Sequence, residues 1–167
     1  MSYNTWDWAR AEMKRARDKD KGKPLMKNQS TYVVVSNESP TWLREDGSWD
    51  DEDAIYALEL WGTEIVRYYP NAVVAASLNG WNTVTTKKRI GDFSGFTLYS
   101  AEEQVFGGCG GRHWVGDAYT WFYAKNGRLV FKDGREPPTL MGVRKPKPIP
   151  KSRDTVARPL VGDAFED

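Results

Sequence analysis

The sequence predicts an α+β fold: a curved, mainly antiparallel β-sheet, able to close as a barrel, with a helix near the N-terminus and one short helix after Trp81. Three observations predict it. Runs rich in Val, Ile, Thr and Tyr recur along the chain and are separated by turn pairs such as Pro70-Asn71, Asn79-Gly80, Asn126-Gly127 and Asp133-Gly134. Near the N-terminus Trp6, Ala9, Met13 and Ala16 recur instead at helical spacing. After Asn79-Gly80, a threonine-rich stretch stands where a helix cap belongs, ahead of Lys87, Lys88, Arg89 and Ile90.

Taken in order, the first helix has Ser2, Asn4 or Thr5 as candidate caps. From Lys14 to Lys27 the chain is mostly charge and includes Gly22 and Pro24, which predicts a helix fraying into a basic linker. Thr31–Val35 is a strand by β-branched content, Ser36 to Pro40 a turn, and 41–44 a second short strand. The run 54–60 alternates, with Tyr56, Leu58 and Leu60 on one side and Ile55, Ala57 and Glu59 on the other. Trp61-Gly62-Thr63 turns into a strand at 64–69, and Pro70-Asn71 leads to a return strand at 72–78, giving an antiparallel meander. Thr83 or Thr85 caps the second helix and Gly91 ends it. A strand follows at 93–99. The glycine-rich Gly107-Gly108-Cys109-Gly110-Gly111 reads as a loop between strands, 115–123 as an aromatic strand, and Asn126-Gly127 as a hairpin returning through 128–132. From Val143 proline alternates with charge, which suits an extended tail. The organisation is a helix and basic arm over 1–27, a core domain over 28–142 and a Pro/Lys-rich tail over 143–167.

At 167 residues the chain is long enough to bury a core without disulfides or metals, and its single cysteine, Cys109, excludes an internal disulfide. That fits a reducing cytosol, and the absence of a long apolar run predicts no membrane segment. Net charge is +1, so the whole chain is no basic nucleic-acid binder, but charge is segregated. Residues 1–30 carry eight Lys/Arg against four Asp/Glu, and residues 31–60 one Arg against eight acids. The eight tryptophans leave two uses open: packing a β-rich core, or a stacking surface for bases or a partner protein.

The segment 59–90 resembles a group of small phage-encoded proteins. Thr63-Glu64-Ile65-Val66 matches the opening of their shared pattern. Gly80-Trp81, Thr83, Thr85-Thr86-Lys87 and Arg89-Ile90 match a G-W-x-T-x-T-T-K-x-R-I motif. Phe131-Lys132-Asp133-Gly134 followed by Thr139-Leu140 resembles the way that domain ends. Pro70-Asn71 replaces the usual Asp-Gly hairpin, and the glycine-rich insert around Cys109 departs from the pattern. The resemblance implies a phage origin, hence the host cytoplasm, and a shared fold; it brings no activity with it.

Chemistry is densest from Trp81 to Arg89. If a threonine caps the helix, free backbone N–H groups and the hydroxyls of Thr83, Thr85 and Thr86 lie beside Lys87, Lys88 and Arg89, an arrangement suited to phosphate. Cations at a helix N-terminus oppose its dipole, a conflict that an anionic partner would relieve. A plain capped helix with Trp81 in the core is the alternative. In GGCGGRHW, glycines suit an anion nest beside Arg112, and Cys109 with His113 is a nucleophile–base pair on paper, set against a mobile loop. One His and one Cys cannot build a multi-His or multi-Cys zinc site, and no cofactor motif is present; carboxylate-only magnesium binding stays open. The run Asp50, Asp51, Glu52, Asp53 lacks calcium-loop spacing. The leading reading is a non-enzymatic accessory protein that binds nucleic acid, a nucleotide or another phosphate-bearing ligand through Lys87, Lys88, Arg89, the basic arm and exposed aromatics. The second is a protein-interaction module inhibiting a host or defence enzyme through its acidic face at Asp50 to Asp53 and an aromatic patch. The third is a phosphodiester- or nucleotide-acting enzyme using Arg112, His113, Lys87 and a carboxylate.

Overall fold

The computed structural model describes residues 5–26, 31–40, 52–101, 104–109, 112–135 and 158–159. The described residues form an α+β structure of two helices and eleven strands. The first element is α1 (Trp6–Lys14), whose Ala9 and Met13 are buried, as the helical spacing requires. Thr5 is its N-cap by backbone and makes no side-chain cap bond. Ahead of the second helix come β1 (Lys23–Met26), β2 (Thr31–Val35), β3 (Tyr56–Leu60), β4 (Thr63–Tyr68) and β5 (Val73–Ala76). The second helix is α2 (Val84–Ser94). After it come β6 (Thr97–Ala101), β7 (Gln104–Cys109), β8 (Arg112–Gly116), β9 (Phe122–Lys125), β10 (Arg128–Val130) and the two-residue β11 (Arg158–Pro159).

The strands make two open antiparallel sheets, and neither closes into a barrel. The larger has the order β1-β2-β3-β4-β5-β9-β10 and the smaller β11-β8-β7-β6. The expected meander is β3 to β5; β2 pairs with β3, and β9 crosses back to pair with β5. One core joins everything: Ala9 and Met13 from α1, Ile90 from α2, Val33, Leu58, Val66 and Ala76 from the large sheet, and Leu98, Val105 and Trp114 from the small one. Trp8 seals the helix pair, edge-on to Tyr68 at 5.7 Å and 5.9 Å from Phe93.

Several expectations are corrected. The basic linker is not frayed throughout, because Lys23 and Pro24 pair with Val33 and Tyr32 as an edge strand. Gly91 does not end α2; the helix continues until Gly95, at φ 77°, because Ile90 and Ser94 are still on its buried stripe. Phe93 is therefore helical, and the strand expected at 93–99 begins at Thr97. Gly107, Gly108 and Cys109 are not loop but β7, the two glycines paired with Trp114 and His113, while Gly110 and Gly111 lie outside the described residues. A Cβ on Gly107 would stand 2.7 Å from the Phe122 ring, so this strand needs a bare backbone for the two sheets to approach. The strand expected at 115–123 is two strands, split by a turn in which Asp117 Oδ1 accepts from Tyr119 N at 2.8 Å. The strand expected at 41–44, the acids Asp50 and Asp51, Thr139-Leu140 and the tail outside 158–159 lie outside the described residues. Glu52 and Asp53 are exposed.

Pro70-Asn71 does turn the chain, with Ala72 at φ 71°. An alanine in the left-handed region costs about 1–2 kcal/mol, whereas glycine's extra chain entropy costs about 0.5–1 kcal/mol. Ala72→Gly is therefore expected to stabilise the fold by about 0.5 kcal/mol, seen as a raised urea midpoint; a lowered midpoint would refute the strain assigned here.

Candidate functional site

Local backbone chemistry fixes the stretch from Leu78 to Thr86. Asn79 and Gly80 adopt φ 48° and 90°, and Trp81 N–H donates back to Leu78 O at 2.8 Å, a turn of the mirror-image type that Asn-Gly favours. Three bonds lock it in place. Asn79 Nδ2 donates to Glu64 O at 2.9 Å, Asn79 N to Ser77 Oγ at 2.9 Å, and Gly80 N to Ala118 O at 2.8 Å. Thr83 is the α2 N-cap, its Oγ1 accepting from Thr86 N at 3.2 Å and lying 2.9 Å from Thr86 Oγ1.

Around this turn the chain leaves large apolar side chains in solvent. The four exposed ones among the described residues are Trp61, Trp81, Val84 and Tyr119, at 58, 50, 82 and 61% exposure. Trp81 Nε1 donates to Thr63 Oγ1 at 3.2 Å, which ties it to the β3–β4 hairpin that carries Trp61. Tyr119 lies over Gly80, whose hypothetical Cβ would be 2.9 Å from the Tyr119 ring. Val84 opens α2, three residues after Trp81. Trp81 and Tyr119 therefore meet at the Asn79-Gly80 turn, and Trp81 is joined to the hairpin that carries Trp61. Burial cannot explain them, and Trp61 is also held at φ 50°, a left-handed conformation unfavourable for a bulky residue. An exposed, backbone-strained tryptophan gives the fold little in return.

The electrostatics are mildly positive. The first turn of α2 holds no acid. Lys87 Nζ donates to Ser100 Oγ at 3.0 Å, and that hydroxyl lies 3.4 Å from Asn82 Oδ1, linking helix, sheet and turn. Lys88 is exposed, Thr85 partly buried and Thr86 buried. Arg89 does not join them: at 4% exposure it points inward, 3.7 Å from Asp92, with its Nε buried and without a hydrogen-bond partner. Three consecutive helical residues face three directions, so the basic triplet is not one patch. Trp81 is not in the core either.

The second motif comes apart. Successive strand residues alternate faces. Cys109 shares the core-side parity of Gly107 and Trp114, while His113 shares the outer parity of Gly108 and Phe106. The nucleophile–base pair is therefore split across the sheet. Burial also pushes the Cys109 thiol up, away from thiolate, and pushes the His113 imidazole down. His113 stands edge-on to Tyr99 at 5.8 Å, and its buried Nδ1 has no hydrogen-bond partner. Arg112 is the register partner of Cys109 at the end of β8. Lys87 reaches the core-side face of the small sheet at Ser100, opposite the face carrying His113 and Tyr99, so the phosphodiesterase set does not assemble. No three His, Cys, Asp or Glu side chains converge on a metal-sized space among the described residues. None of the described helices is long and apolar enough to cross a membrane.

Sequence reasoning missed Trp61, Val84 and Tyr119. The pair Trp61-Gly62 carried one signal, a tryptophan in a two-residue hairpin turn that favours Asn or Asp. No protein-family model matches the chain, and no curated protein or solved structure matches it.

Proposed function

We propose that this protein works by binding rather than by catalysis, and that the aromatic cluster of Trp61, Trp81 and Tyr119 beside the α2 N-terminus is a contact surface for single-stranded nucleic acid. The observation that carries the reading is that exposed Trp81 and Tyr119 meet at the Asn79-Gly80 turn and that Trp81 is bonded to the hairpin carrying exposed Trp61. Aromatic faces stack on bases whatever their sequence, and Lys87 and Lys88 supply charge for the backbone. The likeness of Trp81–Ile90 to phage-encoded proteins supports an accessory role in the host cytoplasm.

Titrating mixed-sequence oligonucleotides against tryptophan fluorescence at about 50 and about 200 mM salt tests this. Trp61 and Trp81 are exposed reporters, so saturable quenching that weakens with salt is the expected result. Unchanged fluorescence together with no shift in a gel assay would refute it. The same aromatics suit a protein hot spot, so a partner protein is the reading that would then take its place.

A further inference from the structure

The end of α1 builds a second feature that the aromatic surface does not use. Lys19 folds back so that its Nζ donates to the carbonyls of Met13, Lys14 and Ala16 at 3.0, 2.8 and 2.7 Å, closing the helix C-terminus. Asp18 Oδ1 accepts from Asp20 N at 3.0 Å and Lys21 N at 3.3 Å, and Gly22 N donates to Asp18 O at 2.9 Å. Gly22, at φ 86°, then lies flat against the Val33 carbonyl, where any Cβ would collide. The stretch expected to be a loose arm is thus a pinned loop. It shapes an open cleft of about 470 Å³ lined by Arg15, Arg17, Lys21 and Lys23, with Tyr32 and Pro24 also in its lining.

Charge in this cleft is one-sided. Among the described residues that line it Asp18 is the one acid, and its Oδ1 accepts from the backbone donors named above. Arg15 has a loose exposed pair with Glu12 at 3.5 Å; among the described residues Arg17, Lys21 and Lys23 have no ion pair. A pinned loop that gathers four cations against one acid among the described lining residues suits an anion. Strand pairing links the cleft to the segment that carries Trp61. Tyr32 is the cross-strand partner of Glu59, and Thr31 that of Leu60, the residue before Trp61. Glu59 is half-buried, with its carboxyl held above the ordinary range by burial and by Glu64.

We propose that this cleft binds phosphates of the same single strand whose bases lie on Trp61, Trp81 and Tyr119. The proposal rests on the binding reading above and adds a second anchor to it. A strand long enough to reach both features gains the cleft, and one covering only the aromatics does not.

The test compares single-stranded oligonucleotides of about 4 and about 16 nucleotides, a range spanned by compact single-strand binding sites. Wild type, Lys21→Glu/Lys23→Glu, the milder Lys21→Gln/Lys23→Gln and Trp81→Ala are each measured across a salt series, with circular dichroism as the folding check. The long oligonucleotide is expected to bind wild type more tightly and with a steeper salt slope than the short one. Both lysine variants should lose this advantage, the Glu pair by 10-fold or more, while their short-oligonucleotide affinity stays near wild type. Trp81→Ala should weaken both lengths. Long-oligonucleotide affinity and slope unchanged in folded lysine variants would overturn the cleft assignment, and a surviving Trp81 effect would leave the aromatic surface standing. Binding of a mononucleotide that needs Lys21 and Lys23, with no dependence on strand length, would overturn the strand and indicate a nucleotide site. No binding of either oligonucleotide to wild type would overturn both readings together.

Discussion

Trp61→Ala combined with Trp81→Ala is expected to lower affinity for a single-stranded oligonucleotide by roughly 100-fold, because each base–aromatic stack contributes about 1–3 kcal/mol. Stability should change far less. Both rings are more than half in solvent or close to it, and the one side-chain bond described for either is Trp81 Nε1 to Thr63 Oγ1. Removing Trp61 also relieves a bulky side chain from a left-handed turn position. The net cost to folding should therefore be about 1 kcal/mol or less, in line with surface substitutions. Trp114→Ala is the contrasting control: Trp114 is 1% exposed and packs on Phe131 at 5.2 Å, so its loss should cost about 3–5 kcal/mol. Denaturation midpoints and oligonucleotide affinities measured on the same samples separate the two classes. A double variant that binds like wild type ends the aromatic-surface reading, and one that unfolds shows that the rings serve the fold.

Lys88→Glu sharpens the contrast with the basic triplet. Lys88 faces solvent and should act on the salt dependence of binding alone, whereas substitution of buried Arg89 should act on stability. The triplet misled because adjacency in sequence is not adjacency on a helix surface. What the sequence does declare is local. Thr83 as cap, Asn79-Gly80 and Asn126-Gly127 as turns, and the α1 stripe depend on residues within a few positions of each other, and all four are found where local rules put them. The faces of Cys109 and His113 depend instead on where β7 begins, which their spacing does not reveal. The exposure of Trp61, Trp81 and Tyr119 is likewise decided by three separate segments meeting at one end of the large sheet. Nor does charge pattern show which cations are gathered. Arg15, Arg17, Lys21 and Lys23 share a cleft only because Lys19 and Gly22 fold the loop back.

Arg67→Met is expected to cost about 3–5 kcal/mol of stability, because it strands a buried carboxylate. Glu64 and Arg67 lie three apart on β4, where strict alternation would put them on opposite faces. A register irregularity after Leu58 brings both to one face: Ala57 pairs with Arg67, and Glu59 with Glu64. There Arg67 Nε donates to Glu64 Oε1 at 2.9 Å, its Nη1 lies 3.2 Å from Glu38 Oε1, and its guanidinium stands 3.9 Å over the Trp121 ring. Ser36 Oγ at 2.7 Å and Asn37 N at 2.9 Å complete the Glu64 carboxylate. These two neutral donors do not replace a cation at a group only 6% exposed. The double variant Arg67→Met/Glu64→Gln removes the stranded charge, so it should be more stable than Arg67→Met alone, and the cycle should show coupling of about 2 kcal/mol. The effect should also reach the binding surface. The backbone carbonyl of Glu64 holds Asn79, and the neighbouring Thr63 holds Trp81, so slackening β4 loosens both anchors of the aromatic turn. In folded Arg67→Met, amide exchange at Asn79–Thr83 should therefore quicken more than at β7 and β8. Additive stabilities in the cycle would show that the buried network works as separate bonds, and uniform exchange would show that it does not support the site.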